Sequence, residues 1–317
     1  MLGNVTTKRA QGRSVSHSVS SAMRYATTLY GRDFQFGRGF LLRHFLMQKP
    51  LRGLRPEKCT IRIADGYLIE LDLDGYIANQ LYWFGNFEDE VKSYLVGYLR
   101  PGAVCVDVGA HVGYFTLIMS SLVGPQGRVF SFEPEPRNFG RLCSNLQLNS
   151  VTNVEPVCAA LSDFDGIARL WLSRDANDGM HSLLDWGLSS HHTQVRTMKL
   201  DTFALGRRLD QRIDLVKLDC EGSETEALDG MQETILRFKP VLLVEVHPTY
   251  LLRRGRGVEQ FKSCISSAGY HGFKVRRDGS LVPCQATTSE HSHNMVFLPE
   301  QVPDNSAGVE AMADGTT

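Results

Sequence analysis

The sequence predicts an α/β fold in which a mostly parallel sheet carries helices on both faces. Two observations predict it. Between about residues 101 and 270, short β-branched runs alternate with stretches long enough for helices, the order that lays parallel strands side by side. The run Val104 to Val108 then leads through a turn bracketed by Gly109 and Gly113 into an apolar stretch from Tyr114 to Val123. A strand, a glycine turn and a helix in that order form the rim of a ligand crevice in such sheets.

Residues 1 to 58 carry eleven Lys or Arg against two acids, Asp33 and Glu57. The first thirty or so are poor in large apolar groups and are expected to be disordered, as a loose basic tail or an organelle transit peptide. Phe34 to Met47 is apolar enough for a helix that packs on the main domain or on a partner subunit, which makes a homodimer possible. Cys59 to Leu73 alternates around Asp65-Gly66, a strong hairpin signal. Tyr76 to Phe87 follows, and Glu88 to Leu99 reads as an amphipathic helix ended by Arg100-Pro101-Gly102. Residues 59 to 100 are therefore a hairpin and helix lead-in.

The main domain, residues 101 to 300, has expected strands at 104–108, 128–132, 154–158, 213–218 and 241–246, and helices at 114–123, 136–148, 224–238 and 257–269. Gly272 to Arg276 and Met295 to Leu298 add an antiparallel edge pair. An insertion, 167–199, places two strands around a polar loop, Ser173 to Thr193, with Gly179 and Gly187 as possible hinges; long loops of this kind are often functional. Residues 301–317 form a polar tail expected to be unstructured.

The glycine turn reads D-x-G-x-x-x-G, from Asp107 through Gly109 to Gly113. A dinucleotide site has the spacing G-x-G-x-x-G. An acid ahead of the first glycine repels a pyrophosphate and suits a ligand with an ammonium group, as in S-adenosylmethionine. Arg128 to Phe132 ends in Glu133-Pro134, an acid in the position that binds ribose hydroxyls in this kind of fold.

VCVDVGAHVGYFTL, VFSFEPEPRNFGRLCSNLQLN, LDTF, IDLVKLDCEGSETEALDGM and PVLLVEVHP occur in that order between about Leu81 and Pro299. Together they resemble the FkbM family of S-adenosylmethionine-dependent methyltransferases, which commonly has Asn where His111 stands. The resemblance implies a class I methyltransferase, Rossmann-like sheet of seven strands, with S-adenosyl-L-methionine as cofactor. It places the methionine end at Asp107, Gly109, Ala110, His111, Gly113, Tyr114 and Asp219, the ribose at Glu133 and Pro134, and the adenine near Ser162 or Asp163. It also implies an O-methyltransferase acting on a hydroxyl of a sugar, glycan or secondary metabolite.

Asp219, Glu221 and Glu224 lie within six residues at a strand-to-helix turn. Asp219 and Glu221 are candidates for the base or for binding substrate hydroxyls, whereas Glu224 reads as a helix cap. Alternation puts Glu245 and His247 on one side of the fifth strand, with Glu245 a substrate contact and His247 a candidate general base. His181-Ser182 resembles a polar patch of the family that could touch substrate, though a solvated loop is the safer reading. No metal is expected, because no further acid is clearly placed beside Asp219 and Glu221 to complete an oxygen-ligand site.

The net charge of −1 and the acidic turn argue against a nucleic-acid partner, and an N-methyltransferase of nucleic acid would carry a Pro-Pro-aromatic motif where Cys220-Glu221-Gly222 stands. An N-methyltransferase of a small molecule and a non-catalytic cofactor-binding subunit remain as alternatives. No apolar run approaches the ~18 residues that span a bilayer. Seven scattered cysteines without a C-x-x-C pair fit reduced thiols, so a cytoplasmic location is expected.

Overall fold

The computed structural model describes residues 56–63, 66–73, 75–173, 181–185, 187, 190–207, 212–255, 257–284 and 292–300. The expected N-terminal helix at Phe34 to Met47, Asp65 of the hairpin turn, the loop hinge Gly179 and the 301–317 tail lie outside them. The chain divides into two units. The first, through Phe87, contains a hairpin of β1 (Lys58–Arg62) and β2 (Leu68–Asp72), paired antiparallel, and α1 (Tyr76–Phe84). Gly85 closes α1 in the left-handed conformation. The hairpin buries Ile61, Ile69 and Leu71 and turns its alternate residues outward, as a two-residue period requires.

The second unit begins at Glu88. Its elements in order are α2 (Asp89–Tyr98), β3 (Val104–Val108), α3 (Tyr114–Val123), β4 (Arg128–Phe132), α4 (Pro136–Leu148), β5 (Val154–Val157), β6 (Ala160–Leu161), β7 (Gly166–Trp171) and β8 (His192–Met198). Next come α5 (Leu200–Arg207), β9 (Leu215–Leu218), α6 (Glu224–Asp229), α7 (Gln232–Phe238), β10 (Val241–Val246), α8 (Pro248–Arg253), α9 (Val258–Ser266), β11 (Tyr270–Val275), β12 (Leu281–Pro283) and β13 (His293–Pro299). The main sheet has the order β12-β11-β13-β10-β9-β3-β4-β5. Its five central and outer strands β10, β9, β3, β4 and β5 are parallel, and β13, β11 and β12 add on antiparallel.

The class I sheet is thus present with eight strands instead of seven. The extra strand, β12, is a three-residue edge strand that turns back on β11 through Asp278 and Gly279, a signal too short to read as a strand. The single expected helix 224–238 is two helices, broken at Gly230 and Met231. The inserted strands pair antiparallel as β7 and β8, and β6 joins β8 in a small third sheet.

Strand order places the crevice. From β3 the chain winds outward through β4 and β5, then returns to add β9 on the other side of β3. Beyond the carboxyl ends of β3 and β9 the two windings diverge, which is where such sheets bind ligands. The strands beneath are apolar runs buried on both faces, as parallel strands covered by helices must be.

Candidate active site

Gly109, Gly113 and the non-glycine His111 all take positive φ, at 81°, 92° and 51°. Three left-handed residues in five fold the turn tightly over the end of β3. The N–H groups of Gly109 and Ala110 both donate to the Phe132 carbonyl, that of His111 donates to Glu133 Oε2 at 2.8 Å, and that of Gly113 donates to Ala110. Four of the five turn amides are therefore committed within the protein. A dinucleotide turn offers such amides to pyrophosphate; this one does not.

Glu133 accepts from His111 with one oxygen and from the Glu135 N–H with the other, at 2.9 Å. Each oxygen keeps a lone pair for a hydroxyl donor, so the carboxylate is set for a cis-diol. It is 5% exposed, and burial pushes its pKa up to about 7. Pro134 follows it, partly exposed, and Tyr114 opens α3 as a buried ring edge-on to Phe115. Asp107 is fully enclosed: Oδ2 accepts from the Thr116 hydroxyl at 2.6 Å, and Oδ1 has no hydrogen-bond partner. An orphaned buried carboxylate oxygen and a ribose-ready glutamate at one crevice fit the donor set that S-adenosylmethionine needs.

Ser162 is 2% exposed, with its hydroxyl on Asp163 at 3.1 Å and its backbone carbonyl against Gly230. Packing against that carbonyl is what makes a glycine necessary at the α6–α7 break.

Across the crevice, Asp219 follows β9. Its Oδ2 accepts from Lys217 Nζ at 2.8 Å, and its N–H donates to the Val108 carbonyl at 3.1 Å. Asp219, Glu221 and Glu245 each place an oxygen within 4.8 Å of the others. The third acid that sequence spacing did not supply is Glu245, brought in from the neighbouring strand β10. Glu245 is pushed far above the usual carboxylate range, first by burial and then by the Asp219 charge, and Glu221 is raised in the same way. The Lys217 ammonium holds Asp219 below the usual carboxylate range.

Glu224 opens α6 but caps none of its amides; it accepts instead from the Cys220 and Gly222 amides of the preceding turn, at 3.1 Å each, and so braces that turn. His247 ends β10 and stacks on Tyr250, ring centroids 3.9 Å apart; burial lowers its pKa, which favours the neutral ring. The solvated-loop reading of Ser182 does not hold. It is 2% exposed, bridges to Trp171, and donates from its hydroxyl to the Glu221 carbonyl at 2.8 Å; His181 beside it is partly exposed.

Sequence reasoning missed two participants. Glu88, at the entry to α2, feels the Asp219 charge and is raised to about 8, mainly by burial. Lys217 was legible as the one charge in the apolar run Leu215 to Leu218. Glu88, His111 and Glu221 are also three of the five non-glycine residues with positive φ among those described. Such strain persists where surrounding structure enforces it, commonly at functional sites.

The family model for the methyltransferase FkbM domain matches residues 107–272, just over half of the chain. The chain belongs to the FkbM methyltransferase family. The matched segment is a methyltransferase domain, and it is carried on an α/β sheet. AMB antimetabolite synthetase AmbE of Pseudomonas aeruginosa is 30% identical over 232 residues, 62% of this chain and 11% of that protein. Hexuronic acid methyltransferase AglP of Haloferax volcanii is 29% identical over 160 residues, 50% of this chain and 62% of its own length. The 31-O-demethyl-FK506 methyltransferase FkbM of Streptomyces tacrolimicus is 29% identical over 176 residues, 47% and 67%. The chain thus spans about a tenth to two thirds of these relatives. A solved FkbM methyltransferase from Methylobacillus flagellatus is 16% identical with a TM-score of 0.41, covering 84% of this chain and 60% of that one. No helix among the described residues is long and apolar enough to cross a membrane.

The crowded acids of this FkbM-family chain make its stability depend on pH. Glu88, Glu133, Glu224 and Glu245 all have folded pKa values raised above the ordinary 4.5. Between 4.5 and the raised values the folded state binds more protons than the unfolded one, so stability falls as pH rises. The melting temperature is expected to decline steadily from about pH 5 to about pH 8. A flat or rising profile over that window contradicts the assignment.

Proposed function

We propose that the chain is an O-methyltransferase that methylates a hydroxyl of a sugar, glycan or secondary metabolite. The observation that carries this is the group Asp219, Glu221 and Glu245, with oxygens within 4.8 Å of one another, in which Lys217 lowers Asp219 while burial raises Glu221 and Glu245. Such a group both accepts and donates hydrogen bonds, which suits a polyol. It also disfavours a polyphosphate, so nucleic acid is not the acceptor in this reading. Two relatives, named for methylating a hexuronic acid and a demethyl-FK506, are consistent with a hydroxylated acceptor.

When bound, S-adenosylmethionine supplies an electrophilic methyl group on a cationic sulfur. In this reading Glu133 grips the ribose, the Gly109–Gly113 turn with His111 and Tyr114 flanks the methionine end, and Ser162 with Asp163 borders the adenine. Asp219 receives the acceptor hydroxyl's proton as the new C–O bond forms. A carboxylate of low basicity suffices, because a hydroxyl becomes strongly acidic as its oxygen is alkylated. Glu221 and Glu245 orient neighbouring hydroxyls, and holding the acceptor in line is itself a large share of the acceleration. His247 is the second candidate for the proton.

Purified protein incubated with methyl-labelled S-adenosylmethionine and a panel of sugars, glycans and polyol metabolites is expected to yield base-stable labelled methyl ethers. Label found only in amines or esters, or cofactor binding with no acceptor ever labelled, overturns the reading. Glu133→Ala is expected to weaken S-adenosylhomocysteine binding by roughly 10- to 100-fold, the scale of hydrogen bonds to a charged group. A calorimetric titration with unchanged affinity removes Glu133 from the ribose role.

A further inference from the structure

Lys217 is a cation on the central strand β9, and its side chain is 3% exposed. A buried ammonium is costly unless it is compensated, and such lysines are rare in sheet interiors. Here the compensation is specific. Nζ donates to Asp219 at 2.8 Å and sits 4.8 Å from the centre of the Phe115 ring, which opens α3 with Tyr114. In register, Lys217 lies opposite Asp107 on β3 and Leu243 on β10. Alternation along β9 puts Lys217 and Asp219 on the same face, so the lysine stands directly beneath the carboxylate at the strand end.

The charged and titratable groups around this pair come from every adjoining element. Asp107 faces it from β3, His111 from the glycine turn, Glu88 from the entry to α2, Glu221 from its own turn, and Glu245 from β10. All but His111 are acids. Lys217 is the ammonium among them and it bonds Asp219 directly, which favours the negative charge there.

We propose that Lys217 is a positioning residue for methyl transfer: by its bond to Asp219 it fixes the site's negative charge on that one carboxylate and aims Asp219 at the crevice. This rests on the reading of Asp219 as acceptor of the hydroxyl proton. Lys217 touches neither donor nor acceptor in this account and acts only through Asp219. Phe115 fixes where the ammonium sits, and the Val108 carbonyl fixes the Asp219 backbone.

The test is a double-mutant cycle with two readouts. Urea midpoints and S-adenosylhomocysteine affinities of the wild type, Lys217→Met, Asp219→Asn and the double variant need no acceptor, so they test the pairing even if the proposed reaction is wrong. Each single substitution is expected to lower the midpoint, and the double variant to lose much less than the sum. Removing Lys217 should leave S-adenosylhomocysteine affinity within about threefold, because the lysine does not hold the cofactor. With a methylated hydroxyl acceptor in hand, Lys217→Met should lower kcat about 100-fold, a typical share for a positioned acid–base group, and should cost nothing further once Asp219 is Asn. Lys217→Arg should recover most of the loss. A methionine that merely fills the same space keeps kcat, so an undiminished kcat overturns the proposal, as does strict additivity in the cycle. If Lys217→Met does not fold, Lys217→Gln takes its place. Recovery of its folding by Asp219→Asn supports the pairing, and continued failure of the double variant to fold refutes it.

Discussion

Alanine at Gly109 is expected to remove about 2–5 kcal/mol of stability and with it cofactor binding. Gly109 has φ 81°, and a Cβ built there would fall within the van der Waals envelope of the Asp219 carbonyl oxygen and 2.9 Å from its carbonyl carbon. The obstacle is backbone, which cannot swing aside. The turn cannot retreat either, since the Gly109 and Ala110 amides are bonded to Phe132, and Asp219 is bonded to Val108. Overpacking a rigid contact costs about 1–3 kcal/mol, and the left-handed backbone adds about 1–2 for a residue with a Cβ. Such a loss is a large part of a typical total of about 5–15 kcal/mol. Gly140 in α4 is the internal control, because a Cβ there meets nothing within 4 Å. Gly140→Ala should stabilise by about 0.5–1 kcal/mol. Urea unfolding reads both variants, and equal midpoints for Gly109→Ala and wild type would show that the turns of β3 and β9 do not touch.

Asp219→Asn is expected to lower kcat by about 10²- to 10⁴-fold, the range for losing a positioned proton acceptor. Asparagine keeps the shape and the backbone bond to Val108 but can take no proton. It also leaves Lys217 buried without its counter-charge. Breaking one partner of a buried pair costs about 3–5 kcal/mol, and the lower end applies because the Asp219 side chain keeps 22% exposure. The rate loss must therefore be measured on folded protein, with S-adenosylhomocysteine affinity as the control. His247→Ala is the necessary comparison. His247 stacks on Tyr250 and burial lowers its pKa, which favours the neutral ring that could accept a proton. The variant with the larger loss in kcat at unchanged cofactor affinity marks the acceptor of the proton, and a fully active Asp219→Asn removes that residue from the chemistry.

Much of this architecture is legible in the residues themselves. The bounds of β3, β4, β10, α3 and α4 match the sequence expectation residue for residue. Each is marked locally: β-branched runs for the strands, and for α4 a Pro at its first position with Glu135 capping the Asn138 amide at 2.7 Å. The spacing of Asp107, Gly109, Gly113 and Glu133 is likewise local, so the glycine turn and the acid beside it can be read before folding. The close approach of the Ser162 carbonyl that excludes a side chain at Gly230, where helix 224–238 breaks, cannot, because Ser162 lies far away in the chain. Strand β12 and helices α5 and α8 are too short to announce themselves by periodicity.

Sequence alone determined the order of the parallel strands, the glycine turn with its flanking acids, and the family they compose, because those signals lie within a few residues of one another. Tertiary structure alone decided that Glu245 joins Asp219 and Glu221, that Lys217 lies beneath them, and that Ser182 clasps the Glu221 carbonyl. Charge interactions act through space, and only the pairing of β9 with β3 and β10 brings groups from separate parts of the chain within their reach.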